Sequence, residues 1–483
     1  MSKFSRRQFV VGAAAGAAAL SFPIRRVLGA NETVNVGFIG VGGRGTHSAK
    51  WFGEIPGVRV AAVCDVDKGH ISAAQKSLDA QDIKDVKGHE DQRRIIEDKS
   101  IDAVVISSCN HWHALAAVWA IQAGKDVYVE KPVSNNVWEG RKIVEAARKY
   151  NRIVQGGTQQ RSDPVQKQIK EFIKSGKLGK MQWIRGNRLG RRESIGKRDT
   201  PLKPPANVNY DLWLGPAQDE PIYRPNLHYD WHWVWNTGSG EMGNWGVHIL
   251  DDIRMMLDDQ STLPKRILAA GGRVVWNDAG ESPNVHIAYY DTGVVPVILM
   301  LSNLPEKTGS TREPNYRGIR SGYVIQFENG YYAGARGGGW AYDNDNKRIQ
   351  QFKGDGGEAH AKNFIEAVRT RNRAIQNAEI EQTHYSSAWC HLANVAYRLG
   401  SAYGQQGAAD LAKNFQPWSE LLEQFHTHLE ANGVDATKSG LKLSSILEID
   451  PRKEVFIGKS ATPEAQALLR REYRKGYVMP EQV

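Results

Sequence analysis

The sequence predicts an α/β fold, with an N-terminal Rossmann doubly wound parallel sheet followed by an α+β second domain whose open sheet is mainly antiparallel. Three observations predict it. From Thr33 short apolar runs alternate with helical stretches of about ten to fifteen residues, the mark of parallel βαβ units. The glycine turn Gly40-Val41-Gly42-Gly43-Arg44-Gly45 joins the first run to the first helical stretch. Beyond Asp163 the pattern changes to strands with alternating or wholly apolar faces, as in antiparallel sheets.

In chain order, the first domain (31–157) has strand candidates Val34–Ile39, Val58–Cys64, Ala103–Ser107, Asp126–Val129 and Ile153–Gly156. Helical stretches start near Gly43, Lys68, Asp91, His111 and Asn136. The second domain (158–380) opens with a helix to about Ser175 and a strand Gln182–Leu189. A long segment rich in Pro, Asn, Trp and Tyr follows, interrupted by a helix over Glu241–Leu257. Strands are expected at Arg266–Val275, Val285–Tyr290, Val294–Leu301 and Tyr323–Glu328. The helix His360–Arg371 and the apolar stretch Ser386–Tyr403, within segment 381–410, are expected to return to the first domain. A helical tail, 411–483, ends the sequence.

Residues 1–30 are read as a signal peptide outside the fold. Ser5-Arg6-Arg7-Gln8-Phe9-Val10 is a twin-arginine pattern, followed by a weakly apolar Gly/Ala stretch and a cleavage-like Leu28-Gly29-Ala30. The stretch from Phe9 to Phe22 falls short of the roughly 20 residues needed to span a bilayer. The expected location is the periplasm, the expected export partner the twin-arginine machinery, which carries folded proteins. Folding before export also suits Cys64, Cys109 and Cys390, read as core thiols and not as a disulfide framework.

The formal charge of +10 falls to +5 without Lys3, Arg6, Arg7, Arg25 and Arg26, because the first 30 residues hold no acid. The remaining basic residues form no long block, which argues against a nucleic-acid partner.

The glycine turn predicts a dinucleotide site, because a strand precedes it, a helix follows it and Asp65 ends the second strand. Gly40 permits the turn, Gly42 lets the backbone approach the pyrophosphate and Gly45 lets helix pack on strand, with Gly43 also counted among the cofactor-binding residues. The helix N-terminus offers N–H groups and a positive dipole end. A carboxylate at Asp65 accepts from ribose hydroxyls and repels a 2′-phosphate, favouring NAD over NADP; the same residue would also serve as a helix N-cap. Arg44, within the turn, acts against that preference.

Three further motifs stand at matching places: Ser108-Cys109-Asn110-His111-Trp112-His113, Glu130-Lys131-Pro132, and Gly243-Asn244-Trp245-Gly246-Val247-His248-Ile249-Leu250-Asp251. With these, the chain from about Val34 to Tyr403 resembles the glucose-fructose oxidoreductase and inositol dehydrogenase (Gfo/Idh/MocA-like) family, and its tail is similar to a long-tailed, exported branch. The resemblance implies that Ser108, Asn110, His113, Glu130, Lys131 and Gln159 join the cofactor site, and that Arg161 meets substrate. It also implies that Lys131 places a cation near the reacting oxygen while His248 takes the hydroxyl proton. The chemistry itself requires such groups, since an alcohol loses a proton as hydride leaves its carbon. From the residues alone, Lys131 is equally readable as a surface lysine before a proline and His248 as a satisfied core histidine. Asn244 stands where the family more often has Asp; an amide orients and cannot relay a proton. Helical spacing places Asn244, His248 and Asp251 on one face.

The loop His228-Tyr229-Asp230-Trp231-His232-Trp233-Val234-Trp235-Asn236 combines aromatics with polar groups. Tyr229, Trp231, Trp233 and Trp235 suit the face of a sugar ring; the same residues also suit an apolar clamp over the core. No metal is expected, because His228, Asp230 and His232 lack a third well-spaced ligand partner.

Export removes a soluble NAD pool, so the cofactor is expected to stay bound and be regenerated in place. The expected function is hydride transfer between a pyranoside hydroxyl carbon and tightly bound nicotinamide. The alternative is a redox-neutral glycosidase or epimerase working by oxidation, elimination, water addition and re-reduction. A third reading is a periplasmic sugar-binding protein without turnover. An open sheet face further predicts a homo-oligomer, dimer or tetramer.

Overall fold

The computed structural model describes residues 33–259, 262–404, 407, 409 and 415–483; the expected signal segment lies outside them. The first domain holds a six-stranded sheet of order β3-β2-β1-β4-β5-β6: Lys87–His89, Val58–Cys64, Val34–Ile39, Ala103–Ile106, Asp126–Val129 and Val154–Gly156. All its pairings are parallel. Alternate residues enter opposite layers, as the pleat requires. Val36, Phe38 and Val105 pack with Phe52 and Tyr128, whereas Ile39, Val104 and Ile106 pack with the helix Asn110–Gln122. The edge strand β3 escapes the sequence pattern because Lys-Gly-His offers neither apolar alternation nor length.

The helix His360–Thr370 returns to the first domain, as expected, and lies in the Rossmann layers, where Phe364 meets Phe52 and Tyr128 edge to face. The helix Ile380–Leu399 packs between the domains, against the helices Val137–Lys149 and Val247–Met256 and strand β8 (Arg266–Gly272).

The second sheet is mixed. Strand β7 (Met181–Leu189) runs parallel to β10 (Pro296–Ser302); β9 (Val285–Asp291), β8 and β11–β14 pair antiparallel, the last four being Ser321–Phe327, Gly330–Ala335, Gly338–Asp343 and Arg348–Lys353. Short strands at Lys442–Leu443 and Leu447–Asp450 extend the sheet past β8. One face packs Ile184, Leu299 and Tyr290 against Ile249, Ile253 and Trp389. On the other, which the sequence leaves open, Leu268, Ile287, Ile298 and Met300 lie beneath Trp418, Leu421 and Phe425 of the tail helix Gln416–Ala431.

The expected helix over Glu241–Leu257 divides into a π-turn, Met242–Gly246, and an α-helix, Val247–Met256. Gly243 is held so close to Ser239 that a Cβ would overlap its hydroxyl. Among the described residues no helix is long and apolar enough to cross a membrane.

Candidate active site

The strand ends at Ile39, Cys64, Ile106 and Val129 open on one cavity of about 510 Å³, whose far wall comes from the second domain. A ligand at the carboxyl edge of a doubly wound sheet enters such a crevice.

The glycine turn forms one side. Gly40 adopts φ 80°, and a Cβ there would stand 2.5 Å from the Ser108 nitrogen. A Cβ at Gly45 would overlap the Gly40 carbonyl oxygen, so helix and strand approach only through glycine. A Cβ at Gly43 would meet nothing within 4 Å. The helix Gly43–Gly53 starts without a side-chain cap and carries no acid in its first turn. Its first N–H groups and positive dipole end are therefore available to an anion. The buried hydroxyls of Ser107 and Ser108 lack a partner at the same place. These features fit the pyrophosphate of a dinucleotide.

Asp65 accepts from the Val41 nitrogen at 2.8 Å and the Asp67 nitrogen at 3.0 Å. The cap of the next helix is Asp67, which accepts from the Gly69 nitrogen at 2.7 Å. The capping that the sequence leaves open for Asp65 thus falls to Asp67. Arg44 donates to Glu130 Oε1 at 2.8 Å, and Gln159 donates to the same oxygen at 3.1 Å. Burial opposes a charge on Glu130, but Arg44 and Lys131 outweigh it and hold the carboxyl below the usual range. The Arg44 guanidinium is thereby engaged by Glu130 and not by Asp65. His113 bridges the Pro132 and Ser108 carbonyls at 2.7 and 2.9 Å, fixing both loops.

Lys131 extends from the end of β5 to the π-turn, donating to the backbone oxygen of Asn244 at 2.7 Å and approaching its amide oxygen at 3.3 Å. Burial lowers the lysine's pKa, with Glu130 and Glu241 opposing. His248, one turn further on, has its Nδ1 buried without a partner. Burial first, then the Lys131 charge, pushes its pKa well below the ordinary value, so the ring stays neutral. Lys131, held on the π-turn, and the neutral His248 ring thus line one cavity. Glu241 accepts from Asn244 at 3.3 Å, from Arg188 at 3.0 Å and from Arg192 at 2.8 Å, fixing the π-turn from behind.

Among the residues expected to meet substrate, Tyr229 and Trp231 line the cavity with Asn244 and His248. Three lie elsewhere. Arg161 is buried on Asp251 (2.8 Å) and Asp259 (2.9 Å), with both carboxylates claiming its guanidinium. Trp233 is buried beneath Arg192, and Trp235 packs towards Tyr397 and Arg398. Asn110, expected at the cofactor, is buried in the first turn of its helix and absent from the lining. Asp251, expected on the face of His248, instead accepts from Arg161 and from Ser386 at 2.6 Å.

Sequence reasoning missed Trp245, Arg336, His70 and Tyr477 in the lining. Trp245 stood inside a quoted motif; the others come from segments with no local signal. Tyr477 belongs to a clamp in which the segment 207–215 crosses beyond β2. The Asn209 nitrogen donates to the Val66 carbonyl at 2.8 Å, and Asn207 donates to Asp67 at 2.6 Å. The tail holds this segment through Tyr477 on Asp211 at 2.9 Å and Arg474 on the Gly215 carbonyl at 2.9 Å.

Comparison with known proteins agrees with this division. Residues 34–158 match the Gfo/Idh/MocA model described as oxidoreductase family, NAD-binding Rossmann fold; residues 164–318 match the one described as oxidoreductase family, C-terminal alpha/beta domain. An inositol 2-dehydrogenase of Salmonella typhimurium is 35% identical over 156 residues, covering 32% of this chain and 45% of that protein. A glycosyl hydrolase family 109 protein of Saccharopolyspora erythraea is 32% identical over 173 residues, covering 31% of this chain and 38% of that protein. The chain thus spans less than half the length of these curated relatives. The crystal structure of the WlbA dehydrogenase from Bordetella pertussis, in complex with NADH and UDP-GlcNAcA, superposes with a TM-score of 0.52 at 14% identity, over 74% of this chain and 92% of that one.

Proposed function

The chain belongs to the Gfo/Idh/MocA oxidoreductase family, and from that premise we propose that it is an exported, NAD-dependent oxidoreductase acting on a ring hydroxyl of a sugar or glycoside. One observation carries the reading: Lys131 and His248 line the same cavity as the uncapped helix at the glycine turn.

The helix N-terminus at Gly43, with Gly42 and the Ser108 loop, would hold the pyrophosphate, and Asp65 the ribose hydroxyls. Bound nicotinamide supplies the hydride acceptor and, in a closed cycle, the hydride donor. The residues of this chain do the rest. The Lys131 ammonium stabilises negative charge developing on the substrate oxygen. Neutral His248 receives the hydroxyl proton on a ring nitrogen. Asn244 positions Lys131 and, as an amide, moves no proton. Tyr229 and Trp231 offer aromatic surface to a sugar ring. The clamp formed by 207–215 and Tyr477 retains the nucleotide, as the twin-arginine pattern of Arg6 and Arg7 requires of a protein without a soluble NAD pool.

A second reading, redox-neutral cleavage of a glycoside, is favoured by the resemblance to the glycosyl hydrolase family 109 protein. One experiment tests both. The purified protein is incubated with chromogenic glycosides and free sugars without added NAD, and absorbance is followed at the nicotinamide band and at the aglycone. Oxidoreductase action gives one reduction per site and then a stall until a second, reducible sugar is added. Aglycone release over many turnovers selects the second reading, and sugar binding without any change at the nicotinamide band overturns both.

A further inference from the structure

His228 does not join Asp230 or His232, its neighbours in sequence; it reaches the first domain. Its Nε2 lies 2.9 Å from Asp67 Oδ2, and its ring packs 4.5 Å from that of His70. The donor atoms of Asp67, His70 and His228 all fall within 4.8 Å of one another. We propose that these three residues form a binding site for a divalent transition-metal ion of the zinc type, tying the second-domain loop to the Rossmann domain.

The geometry suits a metal in three respects. A tetrahedral ion with bonds of about 2.1 Å sets its donors roughly 3.4 Å apart, and here Asp67 Oδ2 stands 2.9 and 4.0 Å from the two imidazole nitrogens. Asp67 is already oriented: its Oδ1 accepts from the Gly69 nitrogen and from Asn207 at 2.6 Å, which leaves Oδ2 for the histidines. His70 is oriented as well. Its Nδ1 lies 3.3 Å from Asp65 Oδ1, and this carboxylate–imidazole contact directs Nε2 towards Asp67, the arrangement that metal-binding histidines adopt.

The 4.0 Å gap between His70 Nε2 and Asp67 Oδ2 is too long for a hydrogen bond, and an ion between them would join both. Both imidazoles are about one-third exposed, at 31% and 36%, and border the cavity, which gives the ion a path in. Two imidazoles with one carboxylate suit zinc, cobalt or nickel and not calcium or magnesium. A fourth position stays open to water.

The test uses the full-length protein, stripped with a chelator and titrated with Co²⁺ as an optical probe. Wild type is expected to take up one equivalent with visible ligand-field bands, and Zn²⁺ to displace it. His70→Gln and His228→Gln are expected to weaken uptake by more than about 100-fold, beyond the usual cost of losing an outer partner. His426→Gln, on the tail helix, is expected to bind as wild type does. Circular dichroism checks the fold of each variant, and a Zn²⁺-dependent rise in Tm of wild type provides a second readout. Absence of saturable Co²⁺ uptake by wild type overturns the site, as does uptake unchanged in a folded His228→Gln protein. Because the probe is the metal alone, failure here is distinct from failure of the sugar reaction.

Discussion

Lys131 and Asn244 meet across the domain boundary, with the ammonium of one donating to the backbone oxygen of the other at 2.7 Å and lying 3.3 Å from its amide oxygen. The first domain thus delivers the cation, and the π-turn of the second fixes its position. Replacing Lys131 with Met is expected to slow single-turnover reduction of bound nicotinamide by roughly 10² to 10⁴. Nucleotide content per chain should stay as in wild type, because the pyrophosphate cradle is untouched. Asn244→Ala keeps the backbone contact and should cost only about 1 kcal/mol, roughly fivefold in rate. Equal losses in both variants would show that the backbone contact does not position the lysine.

His248 titrates well below an ordinary histidine because it is buried and faces Lys131, with Arg336, Arg44 and His360 nearby. In the proposed reaction its neutral form accepts the proton, so activity is expected to fall only when pH drops through that depressed value. The single-turnover rate is expected to show no acid limb near pH 6.5, the ordinary histidine value. Removing the neighbouring charge in Lys131→Met should move the His248 NMR titration upwards. An unmoved titration would remove Lys131 from the causes of the depression.

Stability should follow a group of histidines away from the cavity. His111 and His286 are pushed down to about 3, and His360 and His391 to about 4, in each case chiefly by burial. Their folded-state values lie below the unfolded value near 6.5, so the unfolded chain binds more protons between these limits. The stability they confer is full above about pH 6.5 and is lost as pH falls towards 4 and then 3. Each contributes at most about 1.4 kcal/mol per pH unit in that window. Urea midpoints measured from pH 8 to 4 should fall most steeply below 6.5; a flat profile to pH 5 would contradict the burial of these rings.

In the glycine turn, position matters more than composition. Gly45→Ala sets a methyl against the Gly40 carbonyl and should lower Tm and empty the site together. Gly43→Ala meets nothing within 4 Å of its Cβ and should leave the Tm of nucleotide-free protein unchanged while reducing bound nucleotide. Calorimetry with nucleotide analysis separates the two, and parallel losses in both variants would refute the assignment.

The first sheet was legible because β1, β2, β4 and β5 are apolar runs closed by turn residues, and each leads directly into a residue of the cavity wall: Gly40, Asp65, Ser107 and Glu130. That Lys131 and His248 share one cavity was legible only through motifs, since residues far apart in sequence have no shared period. Arg161 misled because a resemblance carries over a residue's place and not its partners, which here are Asp251 and Asp259. The tryptophan loop divided for a similar reason: composition marks an aromatic loop but not which ring faces inward. His70 and Tyr477 carry no local signal, as tertiary packing alone brings them to the cavity.

The clamp also sets an order of events in biosynthesis. Tyr477 forms part of the cavity wall and Arg474 holds the segment that crosses it, yet the ribosome makes both long after the glycine turn. Until they are made, a Rossmann domain leaving the ribosome lacks that wall of its crevice. A truncation in the tail is therefore expected to be felt first as leakage of cofactor and only afterwards as loss of fold.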